Sequence, residues 1–343
     1  MSNSAINLVS LDFDAGKQSF IQWMQGQDRF KDYDFTGADI NILLDILQVN
    51  TFRNAFYLNM AIAEGFIDSA QLPVNIKSHA KEVNYCPTSA LSAYANVTIT
   101  FQANGPGPYV VNKGQTFSCP YKNHNYTFSI PENIIVSSTN STFIFTTNIY
   151  EGTYVKDSYI YNNQAPGINS FLLTNENADT TSLVVNVFEG SNTIAQNFAF
   201  APSLLGLNAN SQVYFLQTSA LDGRYEILLG DNIIGAEPQN GALIILDYRL
   251  SSGSAPNGAG FFVINFDPTL SSGASELTSP VSIVTNQNAQ AGANIEPIEV
   301  TRFNAPRWFQ AQERAIVPAD YEILLTSKFP EITAINAYGG EDL

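Results

Sequence analysis

The chain has 343 residues, more than one hydrophobic core usually organises, and 45% of them are hydrophobic, so two or three domains are expected. Only 13% are Asp, Glu, Lys or Arg, against roughly 25% in an average soluble chain, which implies a surface of amides, hydroxyls and glycine, much of it buried against other proteins. A net charge of -16 with only 15 scattered basic residues excludes wrapping nucleic acid or docking on an anionic membrane, both of which need clustered Lys and Arg.

Residues 1–11 lack the basic-then-apolar pattern of a secretory signal, and no window approaches the roughly 20 apolar residues of a membrane span. Cys86 and Cys119 do not make a disulfide framework in a chain this long, and both are expected as thiols. The Asn-x-Thr triplets at Asn96, Asn125 and Asn140 fit strand chemistry and, without a signal peptide, carry no meaning for glycosylation.

From residue 12 to about 84 the pattern is helical, opening with a short segment over 18–24. Thr36 with Asp39 has the form of a capping box with Asp in the acidic place. Ile40, Leu43, Leu44 and Leu47, then Leu58, Ile62 and Phe66, follow at helical spacing. A second apolar row, Ile42, Ile46, Val49, Phe56, Met60 and Ile67, lies on another face. A helix over 36–70 is expected, about 50 Å long at 1.5 Å per residue. Apolar side chains around most of its circumference must be covered by something. Either the helix is the core of its own domain, packed by 18–24, or it joins an intermolecular bundle; the pattern leaves both open. Ile42, Ile46, Val49, Phe56 and Met60 are the candidate partner contacts.

After Pro87 the texture changes to strands. Residues 94–101 alternate, with Val97, Ile99 and Phe101 on one face, and the Gly/Pro cluster at 105–108 breaks the run. Further strands are expected at 109–111, 126–130, 134–137 and 142–148, a spacing that suggests a sandwich or barrel. Beyond 157 the chain stays β-rich, with strands at 183–188, 212–217, 225–229 and 242–248 and a Ser/Gly loop over 250–260. Strand sequence returns at 281–285. Pro318 can open a short amphipathic helical turn or two, and 331–338 reads as a strand, so that the chain stops one strand into a new unit. The expected fold is multidomain α+β: helical over 1–85; a first β domain over 86–157, rejoined by 281–305; an inserted β-rich domain over 158–280; and the start of a small α/β unit over 306–343.

No constellation for catalysis, a cofactor or a metal emerges. His79 and His124 are isolated, without the spacing of a zinc site, and His79 reads as a hydrogen-bonded loop or helix-end residue. There is no nucleophile elbow and no phosphate loop with its Lys. Gly230-Asp231-Asn232 lacks the alternating oxygen ligands of a calcium loop and reads as a turn. Paired carboxylates such as Glu322 with Glu331, or Asp222 with Glu226, would need glycosidase spacing to act together. The abundant aromatics fall at strand positions, as Phe143 and Phe145 do, which core packing explains without a ligand.

Three stretches stand out when taken together. The first is Glu64-Gly65-Phe66-Ile67-Asp68-Ser69-Ala70, running on through His79-Ala80-Lys81 to Tyr85-Cys86-Pro87-Thr88-Ser89-Ala90. The second is Tyr225-Glu226-Ile227-Leu228-Leu229-Gly230-Asp231-Asn232, followed by Gly235, Gly241, Asp247-Tyr248-Arg249 and Asn257-Gly258-Ala259. The third is Asn304-Ala305-Pro306-Arg307, Gln312-Glu313-Arg314-Ala315, Asp320-Tyr321 and Tyr338-Gly339-Gly340-Glu341. Each block is weak alone; their common order from residue 64 onward is specific, and together they resemble the T4-like phage baseplate wedge family, its inner-ring subunits in particular, related to J-type baseplate proteins. Asp231-Asn232 departs from the family, which often has a second Gly there.

The resemblance implies a structural role and no enzymatic activity. It implies a dimer whose N-terminal helices join a helix of a second wedge protein in a core bundle, with a small sheath-like wedge protein and other baseplate subunits as neighbours. The implied location is the virion tail baseplate, after synthesis in the host cytoplasm, and ring contacts are expected beyond Leu343. The competing readings are a glycan-binding tail adhesin and a polysaccharide-degrading virion protein. An adhesin would call for an exposed aromatic platform, yet Trp23 and Trp308, the two tryptophans, lie outside the β region.

Overall fold

The computed structural model describes the chain apart from residues 1–8, 10, 32, 36–38, 104–107, 138–141, 165–168, 191–193, 220, 265–268, 271–280, 330, 333 and 340–343. Its fold is multidomain α+β, with helices first, β-rich barrel-like sheets in the middle and helices again at the end. Contacts divide the chain into two compact units, Met1–His79 and Ala80–Leu343.

In the first unit, α1 (Phe13–Gln25) opens at Asp12, whose carboxylate accepts the Ala15 amide at 2.9 Å. The long helix, α2, runs from Ile40 to Glu64. It is shorter at both ends than the 36–70 expected, and Thr36 lies outside the described residues. Asp39 stands at its N-cap without a side-chain capping bond. The early stop has a local cause. Gly65 caps α2, and the Glu64 carboxylate turns to the next helix, accepting the Gln71 amide at 2.9 Å and the Asn75 side-chain amide at 2.8 Å. Burial pulls the Glu64 carboxyl up, but these bonds and the Leu72 amide outweigh it and hold it below its ordinary value. That next helix is α3 (Pro73–Glu82), where His79 Nε2 lies 2.9 Å from the Glu64 carbonyl oxygen.

The second unit begins with β1 (Tyr94–Gln102), β2 (Tyr109–Val111), β3 (Thr116–Tyr121), β4 (His124–Ser129), β5 (Ile134–Val136) and β6 (Thr142–Glu151). There follow β7 (Tyr154–Ile160), β8 (Ser170–Leu172), β9 (Ala178–Phe188), β10 (Gln196–Phe200), β11 (Val213–Thr218), β12 (Tyr225–Leu229) and β13 (Leu243–Leu250). The last strands are β14 (Val263–Ile264), β15 (Thr269–Leu270) and β16 (Ser282–Gln290). A six-stranded sheet has the order β14-β3-β4-β6-β1-β16, a seven-stranded sheet β7-β13-β9-β10-β11-β12-β8, and a small third sheet β15-β2-β5.

Period-two patterning drives both large sheets. On β1, Val97, Ile99 and Phe101 point into a core with Phe117, Phe128, Phe143 and Ile149, where Phe101 and Phe143 stack at 5.1 Å. The alternate residues Asn96 and Thr98 face outward and bond to Asn148 and Thr146 across the strand pair. The second core gathers Val185, Val187, Ile227, Ile244, Leu246 and Tyr248. Cys86 and Cys119 are not joined to each other.

Two helices follow, α4 (Ile298–Ala311) and α5 (Pro318–Lys328). The first is unexpected, because Pro306 sits inside it. The second starts at Pro318 as expected and runs longer than a turn or two; Asp320 accepts the Ile316 and Val317 amides, each at 3.0 Å, at its first turn. The strand expected over 331–338 does not form among the described residues. The Ala337 amide donates instead to the Glu322 carboxylate of α5 at 3.1 Å, so the described residues after α5 carry no strand.

Candidate functional site

The face of α2 that its own unit covers is mixed, two apolar and two amide side chains. Leu44, Gln48, Ala55 and Asn59 are its buried residues. Gly16 of α1 sets the close approach, since a Cβ there would lie 2.1 Å from Gln48 Nε2. Lys17 pairs with Asp45 at 2.5 Å beside it. The Asn59 side chain meets the Val9 backbone twice, accepting from its N–H at 3.1 Å and donating to its carbonyl at 2.8 Å.

Ile42, Ile46, Val49, Phe56 and Met60 stand on the uncovered side, between 40% and 62% exposed. At about 100° per residue the five fall within an arc of about 80°, centred about 130° from the covered face. Leu43, Leu47 and Leu58 are exposed on the adjoining flank. An apolar arc this wide on a helix with so few charges is the feature that demands a partner.

A second constellation lies within Ala80–Leu343, and it unites the three sequence blocks that carried the resemblance. The Tyr85 hydroxyl lies 2.9 and 2.8 Å from the two carboxylate oxygens of Glu296, which also accepts the Thr88 amide at 3.0 Å. Asn304 of α4 donates to the Tyr85 hydroxyl at 3.3 Å, and the Trp308 ring packs 6.0 Å from the Tyr85 ring. From the seven-stranded sheet, the Tyr225 hydroxyl donates to the Pro87 carbonyl at 3.1 Å and Glu226 pairs with Lys81 at 3.2 Å. Ser89 bonds Thr180 of β9 at 2.8 Å. The segment over 81–89 is thus gripped from both large secondary elements around it. Burial, reinforced by the Glu296 carboxylate, pushes the Tyr85 hydroxyl far above its ordinary pKa, and burial does the same to Tyr225, so both act as fixed donors.

The remaining candidates are held in structural bonds. Asp222 binds Arg224 at 2.6 Å, and Glu226 accepts from Gln217 and Ser170 as well as Lys81. Asp231 accepts the amides of Ile233 and Ile234 at 3.0 Å, making the turn that the sequence suggested, and these bonds hold its carboxyl below the ordinary range. Asn232 has φ +62, a conformation that Gly adopts freely and Asn tolerates, which accounts for the departure at this position. A polar cleft of about 370 Å³ opens between Asn125, Thr127, Glu151, Asn177 and Ser251. Among the described residues no three of His, Cys, Asp and Glu gather as metal ligands, and no helix is long and apolar enough to cross a membrane. Sequence reasoning missed Glu296, because a single carboxylate more than 200 residues from its Tyr85 partner leaves no local signal.

Residues 12–85 match a family model described as baseplate wedge protein gp6-like, helical domain. Over 345 residues the chain is 26% identical to baseplate wedge protein gp6 of Enterobacteria phage T4. The alignment covers 92% of this chain and 50% of that relative, so the chain spans about half the relative's length. A chain of the cryo-EM structure of the anti-feeding prophage baseplate, 6-fold symmetrised, aligns with 95% of this chain and 66% of its own length, at 11% identity and a TM-score of 0.35.

Proposed function

We propose that this chain, whose residues 12–85 match the gp6-like baseplate wedge helical-domain model, is a structural subunit of the baseplate wedge of a contractile phage-type tail and catalyses nothing. The observation that carries the reading is the uncovered apolar arc of α2, which lies inside the matched region. Ile42, Ile46, Val49, Phe56 and Met60 pack against helices of a second copy and of a second wedge protein. A small sheath-like wedge protein and other baseplate subunits are the further neighbours, in the virion tail. The task of such a subunit is to hold geometry through large interfaces and to pass on shifts between them when the tail is triggered. The hub around Tyr85 and Glu296 supports a scaffold, because its charged groups are spent on fixing backbone segments.

The test is the mass in solution of the purified chain and of an Ile46→Asp/Phe56→Asp variant, each alone and co-expressed with the other tail proteins of the same virus. The parent is expected as a dimer that co-purifies with a helical wedge subunit. The variant is expected as a folded monomer that does not. A monomeric parent whose co-purified set is unchanged by the double substitution overturns the reading.

A further inference from the structure

Where the six-stranded and seven-stranded sheets join, charged side chains are buried that the hub does not use. The chain leaves β6 for β7 through Gly152, at φ +107, and a Cβ there would lie 1.9 Å from the Leu250 carbonyl oxygen, so the two crossovers run backbone against backbone. Beside them Asp179, Arg249 and Asp247 are 1%, 4% and 8% exposed. The Arg249 guanidinium sits 4.4 Å from the Tyr150 ring centroid and 5.4 Å from that of Tyr154. Lys113, on the β2–β3 loop, lies 4.3 Å over Tyr154 and bonds Asp247 Oδ2 at 2.8 Å. Asp179 Oδ2 accepts the Ser92 amide at 3.2 Å, just before β1.

This arrangement is incomplete in a specific way. Arg249 reaches Asp179 only at 3.8 Å, beyond hydrogen-bond distance. Its Nε and Nη1, and Asp247 Oδ1, are buried with no hydrogen-bond partner. Leaving charged donors and a charged acceptor unmet in the interior is costly. Asp247 and Arg249 stand two apart on β13, hence on one face, while Tyr248 between them points into the second core. The unmet oxygen of Asp247 and the unmet nitrogens of Arg249 therefore belong to side chains on the same face of one strand.

We propose that Arg249, stacked on Tyr150 of the six-stranded sheet, is a two-seat latch beside the joint between the sheets. Seated on Asp179, it braces the carboxylate that holds Ser92 at the entry to β1. Seated on Asp247, it shares a carboxylate with Lys113 and braces the β2–β3 loop. Both seats lie on the seven-stranded sheet, on β9 and β13, and each reinforces a carboxylate that holds a different segment beside the neighbouring sheet, Ser92 or Lys113, which gives the joint two settings without breaking a strand pair.

The test is the Arg249 Nε–Hε resonance of the full chain labelled with ¹⁵N-arginine and assigned with Arg249→Lys. Microsecond-to-millisecond exchange at that resonance is expected, with Asp247→Asn suppressing it by shifting the seats about fivefold towards Asp179, the difference between a charged and a neutral acceptor. Asp179→Asn is expected to shift them the other way. Amide hydrogen exchange at Ser92 supplies a second readout should Asp179→Asn fail to fold: the seats compete if Asp247→Asn slows it. A single sharp Arg249 resonance that Asp247→Asn leaves in place, with Ser92 exchange unchanged, overturns the latch.

Discussion

Single residues in this protein matter chiefly through where burial has placed a charge. Glu151, at the end of β6, is nearly inaccessible, and burial pushes its carboxyl above the ordinary range, partly offset by the Ser252 amide, which donates at 2.9 Å, and by Arg249. A raised folded-state pKa means that the native chain holds this proton more tightly than the unfolded one. The contribution of Glu151 is therefore best at low pH and declines as pH rises from the ordinary carboxylate value through the raised one. Glu151→Gln, which keeps an acceptor for Ser252, is expected to raise Tm at pH 7 by about 2 °C, with the gain vanishing near pH 4; thermal scans at both pH values check it. None of this was legible beforehand. Glu151 and Glu296 belong to no local motif, and Arg249, though part of the Asp247-Tyr248-Arg249 block, carries no local sign of its buried partners; the environments of all three are made by residues far along the chain.

At the level of elements, periodicity exposed α2 and its two apolar rows but not which face its unit covers. The covered face carries Gln48 and Asn59 beside Leu44 and Ala55; the missing side chain of Gly16 leaves room for Gln48, and the Val9 backbone bonds Asn59. Leu44→Ala is accordingly expected to cost about 2–4 kcal/mol and lower the helical signal on heating, as a large-to-small change in a packed site. Ile46→Ala, on the open face, is expected within about 0.5 kcal/mol when compared in a Phe56→Asp background that keeps the chain monomeric. Circular dichroism of both variants under urea decides between these faces. The alternating strands were readable wherever one face was apolar, as on β1. α4 was not, because Pro306 reads as a breaker, although the helix continues through it. Residues 331–338 failed in the other direction: strand-like composition lost to one carboxylate, Glu322, that claimed the Ala337 amide.

On the scale of the whole molecule, the two compact units predict separable folding. A polypeptide covering 80–343 keeps the hub, both large sheets and the charged joint, and is expected to unfold in one cooperative β-type transition. Loss of near-ultraviolet dichroism in that fragment would show that the β region depends on the helices. The α+β class and the order of textures were readable from composition and alternation, whereas pairing across the chain was not, since nothing local says which strand a strand will meet. Ile99 of β1 meets Ile283 of β16, whereas β7 through β13 all lie between Tyr154 and Leu250. At about 5–20 residues per second, a ribosome takes roughly 10–40 s to deliver the second of those isoleucines after the first. Throughout that interval one edge of β1 waits, kept soluble by its outward Asn and Thr, and the seven-stranded sheet receives all its strands by Leu250, before Ile283 is made. The sheet that opens the β region is the last to close.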